Sequence, residues 1–214
     1  MNDPEFMEKN VAKYVSLGTV PNVNNAPHFL LKLVDKSKIL NLIPVKNLFT
    51  FPKELGQVLV PFCTSKAKIL CNKILSLSFG GFHDTGRIDY ERLGKNIFLY
   101  EPGGTSVQNV KHWIQIYKAK RAQKFDYKNV LENFKHYGQA HPPIYDLISI
   151  PTLMTISDAD PFCNPQDTLD FIENIQNKEV VNILNLTNYN HIDYFWADSA
   201  VEDVFPKIMD FLGE

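Results

Sequence analysis

The chain has 214 residues, enough for one large domain or for a domain with an insertion, and a chain of this length buries roughly 70% of the surface that it exposes when unfolded. It is 44% hydrophobic and 21% charged, which is typical of a globular protein. The net charge of −2 gives no electrostatic reason to expect a nucleic-acid partner, and no stretch approaches the roughly 18–20 consecutive apolar residues that span a bilayer.

The N-terminal segment MNDPEFMEKNVAK is acidic and polar, and it lacks the basic and apolar regions of a signal peptide. The stretch VAKYVSLGTV, residues 11–20, is the first predicted strand. After this strand the distribution of apolar residues changes. Two apolar stretches with interspersed lysines, residues 28–43 and 67–82, predict helices. They fit either helices that face the core or a cap over an apolar substrate site, because a cap needs one apolar face and one wet face.

Three cysteines, Cys63, Cys71 and Cys163, are few and show no metal-binding spacing, and we expect no metal or other cofactor. Cys63 and Cys71 are eight residues apart. That spacing is about 12 Å along a continuous helix, more than the roughly 7 Å that a disulfide allows between Cα atoms. A bridge between them would therefore require a break in the helix.

The stretch SVQNVKHWIQIYKAK, residues 106–120, predicts a helix. Its apolar residues at helical spacing place Val107, Val110, Ile114 and Tyr117 on one face. The overlapping basic run KAKRAQK, residues 118–124, is typical of a solvated helix face.

The last 70 residues begin with a strand and a helix. An apolar run within residues 145–157 indicates a buried strand. The following helix should have Asn164 as its N-cap and Pro165 as its first residue. A second strand is predicted at residues 179–186.

A final helix is predicted at residues 199–214, where Pro206 should kink the helix or delay its start and Gly213 should end it. Strands and helices that alternate in this way predict parallel strands with helices packed on the sheet. The fold class is therefore α/β.

Asp160 and His191 stand in loops after two consecutive predicted strands. In parallel sheets, catalytic groups gather in the loops beyond the carboxyl ends of the strands. An Asp and a His so placed match the acid and base of a nucleophilic triad, in which the carboxylate orients the imidazole and the imidazole accepts a proton. Each residue also has an ordinary explanation, since a lone loop histidine is often structural and Asp160 could simply shape its turn, as Asp158 does.

Three segments, in one order and at matching separations, resemble the acid lipase family, which includes the animal gastric and lysosomal lipases. They are EPGGTSVQNVKHWIQ (101–115), DADPFCNPQDT (158–168) and NYNHIDYFWA (188–197). The resemblance extends from about residue 2 to the end of the chain and is looser in the cap. It implies the C-terminal part of an α/β-hydrolase fold, with a core of residues 1–24 and 96–214 and a helical cap of residues 25–95.

The resemblance also implies a chemistry. Asp160 and His191 fall on the acid and base positions of the triad, and the substrate is a lipid ester, either a triacylglycerol or a sterol ester. The cap would contact the lipid surface, and a full-length form would be secreted or lysosomal. Cys63 and Cys71 fall near a disulfide of the family's cap, at a spacing one residue shorter. The oligomeric state stays open.

The nucleophile of this family has no counterpart in the chain, because a Gly-x-Ser-x-Gly elbow occurs nowhere in the 214 residues. Ser76 and Ser78 lie inside the predicted cap, and Ser106 comes too late in the chain. We therefore expect this chain to be inactive on esters. Three interpretations follow: part of a lipase whose serine lies roughly a dozen residues before Met1, a non-catalytic remnant that binds lipid or a protein partner, or an α/β protein with a coincidental Asp–His pair.

Overall fold

A computed structural model describes residues 4–25 and 104–213, the short stretches 47–48 and 60–61, and the single residue 73. The helices predicted at 28–43 and 67–82 lie outside the described residues, as does most of the predicted cap with its lipid contact. Cys63 and Cys71 lie outside them as well, so their pairing stays a prediction.

Three parallel strands form the main sheet of the described part. The described strands are β1 (Tyr14–Ser16), β2 (Asn47–Leu48), β3 (Thr105–Ser106), β4 (Thr152–Ser157) and β5 (Val181–Leu186). The main sheet has the order β1–β4–β5, and Thr152 pairs with Tyr14 on one side and with Val181 on the other. β2 and β3 form a separate antiparallel pair. Every residue of the central strand β4 is buried, as its apolar sequence predicts.

The helices flank this sheet, and the parallel strands with flanking helices confirm the predicted α/β class. The described helices are α1 (Pro4–Asn10), α2 (Val107–Ala119), α3 (Val130–Tyr137), α4 (Pro165–Glu173), α5 (Asp193–Trp196), α6 (Ala200–Asp203) and α7 (Phe205–Leu212). A short 3-10 turn, Lys178–Val180, precedes β5. None of the helices in the described ranges is long and apolar enough to cross a membrane.

The start of α4 is the one that the sequence predicts. The side chain of Asn164 accepts a hydrogen bond from the N–H of Gln166 (2.9 Å), and Pro165 is the first helical residue. Asp167 in the first turn is fully buried and accepts from the backbone N–H (2.9 Å) and the side-chain amide (2.8 Å) of Asn25. Burial raises the pKa of Asp167. This carboxyl group therefore ties the segment after β1 to α4.

The C-terminal helical region is interrupted where the sequence predicts a kink. α6 ends at Asp203 and α7 begins at Phe205, with Pro206 in its first turn. Gly213 follows α7 with a left-handed backbone (φ 88°), the conformation that glycine adopts most readily at a helix end.

The packing of α2 agrees only in part with the face that the sequence predicts, since Val107 of that face is buried but the deepest residue lies elsewhere. Ile116, outside that face, is the most deeply buried residue of the helix and packs with Val23, Trp113 and Tyr117. Ile114, inside the predicted face, is only half-buried. The segment after β1 covers the end of α2, and helical spacing alone could not show where that segment lies.

Candidate active site

The loops that follow β1, β4 and β5 leave the sheet at one edge, because parallel strands end on the same side. Gly18, Asp160 and His191 lie in these three loops. The loop after β1 turns back onto the central strand: the N–H of Gly18 donates to Thr155 Oγ1 (2.7 Å), and the N–H of Thr19 donates to the Thr155 carbonyl (3.1 Å). These bonds hold the first loop beside the other two.

The loops after β4 and β5 are joined directly. Ser157 Oγ accepts from the N–H of Tyr189 (2.9 Å), and Asp158 Oδ1 accepts from the N–H of Asn188 (2.7 Å). Asp158 therefore joins two loops and does more than shape its own turn.

The two oxygens of Asp160 have different partners. Oδ1 accepts from the backbone N–H groups of Phe162 (2.8 Å) and Cys163 (2.9 Å), and Oδ2 lies 3.0 Å from His191 Nδ1. The side chain has no exposed surface. Asp160 thus shapes its turn and also pairs with the imidazole, while its role as the acid of a triad stays a prediction.

The backbone on both sides of His191 is held by a reciprocal pair of side chains. Asn190 Oδ1 accepts from the N–H groups of Ile192 (3.0 Å) and Asp193 (3.2 Å), and Asp193 Oδ2 accepts from the N–H of Asn190 (2.8 Å). Asn190 and Asp193 are both buried. Their bonds fix the turn from which the imidazole projects.

The His191 ring is confined on its Asp160 side and open elsewhere. The ring of Phe162 lies 4.9 Å away between centroids, and a Cβ atom added at Gly18 would lie 3.1 Å from Nδ1. The side chain remains 31% exposed, and within the described ranges Nε2 makes no hydrogen bond. In the tautomer in which Nδ1–H donates to Asp160 Oδ2, Nε2 keeps its lone pair. This arrangement can act as a general base at Nε2.

Tyr194 closes the buried side of the pair. It has no exposed surface, and burial together with the nearby charge of Asp160 raises its pKa. The phenol therefore stays protonated and adds no charge beside the Asp160–His191 pair.

Two residues of nucleophilic type in the described ranges, Cys163 and Ser106, are engaged in other contacts. Cys163 is buried, its thiol donates to the carbonyl of Thr19, and burial raises the pKa of the thiol to about 12. It is therefore not a thiolate at neutral pH and cannot attack an ester. Ser106 is the N-cap of α2 and accepts from the N–H of Asn109 (2.9 Å).

A separate apolar cavity of about 340 Å³ lies between the sheet and α2. Neither Asp160 nor His191 lines it. Six of the residues that line the cavity are Tyr14, Ser16, Trp113, Ile116, Met154 and Phe171.

The described ranges contain no group of three His, Cys, Asp or Glu side chains that could hold a metal ion.

The sequence indicates the two members of the pair but not the residues that hold them. Asn190 and Asp193 carry a recognisable signal, since Asn followed three residues later by Asp is a common way to cap a turn. Gly18, directly after a predicted strand, is a weaker signal, because a glycine there fits many turns. Nothing in the sequence marks Phe162 as a neighbour of His191.

Comparison with known proteins finds lipases among the relatives of this chain. Bovine (Bos taurus) gastric triacylglycerol lipase is 32% identical over 191 residues, a match that covers 88% of this chain. Lipase member N of Mus musculus is 28% identical over 188 residues, and lipase lipl-1 of Caenorhabditis elegans is 36% identical over 116 residues. The chain is related to the gastric lipases. The resemblance to the acid lipase family that the sequence motifs indicate is thereby confirmed.

The chain spans about half the length of two of these relatives, 45% of the bovine gastric lipase and 46% of mouse lipase member N. Its match to the nematode lipase covers 28% of that protein. No protein-family model matches the chain. Among solved structures, an α/β-hydrolase from a deep-sea metagenome library is 14% identical (TM-score 0.38) and covers 99% of this chain and 60% of its own. A monoglyceride lipase from Saccharomyces cerevisiae is 13% identical (TM-score 0.41), with 98% and 67% covered.

Proposed function

We propose that Asp160 and His191 are the acid and base of a Ser–His–Asp triad that hydrolyses lipid esters, either triacylglycerols or sterol esters. One observation carries the proposal: a buried carboxylate lies 3.0 Å from Nδ1 of a partly exposed histidine, in the loops after adjacent parallel strands. The name of the bovine relative, a gastric triacylglycerol lipase, supports the choice of substrate.

In this proposal the imidazole moves the proton and the carboxylate keeps the imidazole in place. His191 Nε2 takes the proton of a serine hydroxyl as its oxygen attacks the ester carbonyl, and returns that proton to the alcohol that leaves. Asp160 holds the hydrogen on Nδ1 and stabilises the imidazolium between the two transfers. The backbone bonds to Oδ1 keep the carboxylate from turning away.

We further propose that the nucleophile and the oxyanion amides come from a segment outside these 214 residues. The absence of a Gly-x-Ser-x-Gly elbow and the partial coverage of the gastric lipases support this division. In such a protein, residues 25–95 would form the cap over the ester.

The test joins this chain to the part of the bovine gastric lipase that it does not cover and measures hydrolysis of tributyrin and p-nitrophenyl butyrate. We expect turnover by the joined protein and none by the 214-residue chain alone, because the chain has no nucleophile to activate. D160N should lower kcat of the joined protein by about 10³–10⁴-fold, since the wrong imidazole tautomer is then favoured.

The matched control is D158N, which changes a carboxylate two residues away that bonds to a backbone N–H and not to the imidazole. Its kcat should stay within about twofold of the parent, because the asparagine oxygen still accepts that bond. Equal losses from D158N and D160N would refute the catalytic role of Asp160. Hydrolysis by the 214-residue chain, abolished by H191Q, would instead refute the missing nucleophile.

A further inference from the structure

Helix α3 exposes apolar side chains of the kind that an ordinary surface helix buries. Its buried residue is Asn133, which is 3% exposed. Val130, Leu131 and Phe134 are 59%, 79% and 60% exposed, and Leu131 is the most exposed large hydrophobic residue of the described part. We call these three side chains the α3 patch. Because helices normally turn such residues inward, the patch indicates a surface that binds something apolar.

The hydrogen bonds of Asn133 keep the α3 patch facing outward. Its amide nitrogen donates to Asp126 Oδ1 (3.0 Å) and to the carbonyl of Ala140 (3.0 Å), and its amide oxygen accepts from the N–H of Tyr127 (3.0 Å). The ring of Tyr127 also stacks on His136 of the same helix, 4.3 Å apart and nearly parallel. Rolling the helix to bury the patch would break all of these contacts, so its exposure is built into the fold.

The sequence around the α3 patch is basic. Residues 118–137 contain six Lys or Arg against two Asp or Glu, whereas the whole chain has 22 against 24. Lys128 before the helix and Lys135 on it have side chains that are 74% and 73% exposed. Asp126 and Glu132, which pair with these two lysines, are the two acidic residues of the segment, so the segment has four more basic than acidic side chains.

We infer that the α3 patch docks on a negatively charged lipid surface, with its apolar side chains in the headgroup layer and the neighbouring lysines at the phosphates. Apolar side chains ringed by lysine are the features that bind interfacial helices to anionic lipid. A lipid surface also suits the small size of the patch, because a stable protein partner needs about 800 Å² on each side whereas reversible lipid binding needs only a few inserted side chains. The inference does not depend on the proposed ester hydrolysis.

The test measures flotation of the 214-residue chain with vesicles of phosphatidylcholine, with and without phosphatidylserine. L131E should lower the partition coefficient on the anionic vesicles by about tenfold or more, because it places a charge where an apolar side chain would insert. The matched control is V201E on α6, since Val201 is 63% exposed and lies outside the patch. It should bind as the parent does, and circular dichroism should show both variants folded.

A second variant tests the charge independently of the apolar contact. K128Q/K135Q should weaken binding to the anionic vesicles by about fivefold per lysine and leave binding to pure phosphatidylcholine unchanged. Equal binding by L131E and V201E would overturn the inference. A second result would also overturn it: sedimentation without lipid shows a dimer that L131E alone dissociates, while L131E leaves vesicle binding unchanged. The patch would then be a protein interface.

Discussion

At the scale of single residues, Gly18 lies close to the ring of His191. Its φ is +59°, and an added Cβ atom would lie 3.1 Å from both His191 Nδ1 and Tyr194 Cε2. We expect G18A to lower the free energy of unfolding by about 1–2 kcal/mol through backbone strain. It should also push the imidazole away from Asp160, which would alter the NMR resonances of the His191 ring.

The control for G18A is G138A, at a glycine whose φ is +69° but which has no neighbouring atom within 4 Å of an added Cβ. Urea titrations should show that G18A and G138A lower the free energy of unfolding by comparable amounts through backbone strain. Only G18A should shift the resonances of the His191 imidazole. If the resonances respond equally to both substitutions, or to neither, Gly18 has no part in positioning His191.

The pairing of Asp160 with His191 could be predicted from the sequence, whereas the confinement of the ring could not. Loops after adjacent parallel strands lie at the same edge of the sheet, whatever their conformation. Two residues with catalytic types of side chain in such loops are therefore expected to lie close together. The contacts of Phe162 and Gly18 with the ring depend on the loop conformations. Those conformations follow from hydrogen bonds such as Gly18 to Thr155, between residues 137 positions apart.

At the scale of elements, Asp126 links the loop before α3 to the helix itself. Hydrogen bonds from Asn133 and then Lys128 lower its pKa to about 2, below the ordinary value of 3.8. Since the folded-state pKa is lowered, the stabilisation is present above about pH 4 and is lost as the pH falls towards 2. D126N should therefore cost about 1–2 kcal/mol at pH 6 and much less at pH 2.5.

Urea titrations of D126N and the parent at the two pH values test this dependence, and D210N serves as the control because Asp210 is exposed on α7. D210N should differ little from the parent at either pH. A deficit of D126N that stays constant from pH 6 to pH 2.5 would show that charge on Asp126 does not hold the α3 segment.

Helix α3 itself was not predicted, although its boundaries are visible in the sequence. Asn129 caps the helix by accepting from the N–H groups of Leu131 and Glu132, and Gly138 ends it with a left-handed backbone. Sequence patterns favour helices with an apolar buried face, and α3 buries Asn133 instead. By contrast, β4, α4 and the break at Pro206 follow the ordinary rules and were predicted.

At the scale of the whole molecule, the Asp160–His191 pair is a product of two strands and their loops. β4 and β5 are paired along all six residues of each, and the loops after them are joined by Ser157 and Asp158. The geometry of Asp160 and His191 therefore needs no contribution from the part of the gastric lipases that this chain does not cover. The pair is therefore held by contacts within residues 152–193.

The beginning and the end of the described chain meet at Lys13. Its ammonium group donates to the carbonyls of Phe211 (2.6 Å) and Leu212 (3.1 Å) at the end of α7, and lies 5.4 Å from the centre of the Phe211 ring. A cation at the C-terminus of a helix satisfies carbonyls that have no partner within the helix. The contact spans 198 residues of sequence and therefore links β1 to the last helix.

We expect K13M to lower the free energy of unfolding by about 0.5–1 kcal/mol and to speed amide hydrogen exchange in the last turn of α7, because its carbonyl ends lose their cation. K207M removes an equal charge from an exposed position on α7. It should change neither the free energy of unfolding nor the exchange rates in the last turn of α7. Exchange in α2 should be unaffected in both variants, since α2 takes no part in the bonds of Lys13 to α7. Equal exchange rates in α7 for K13M and K207M would show that Lys13 does not hold the end of the helix.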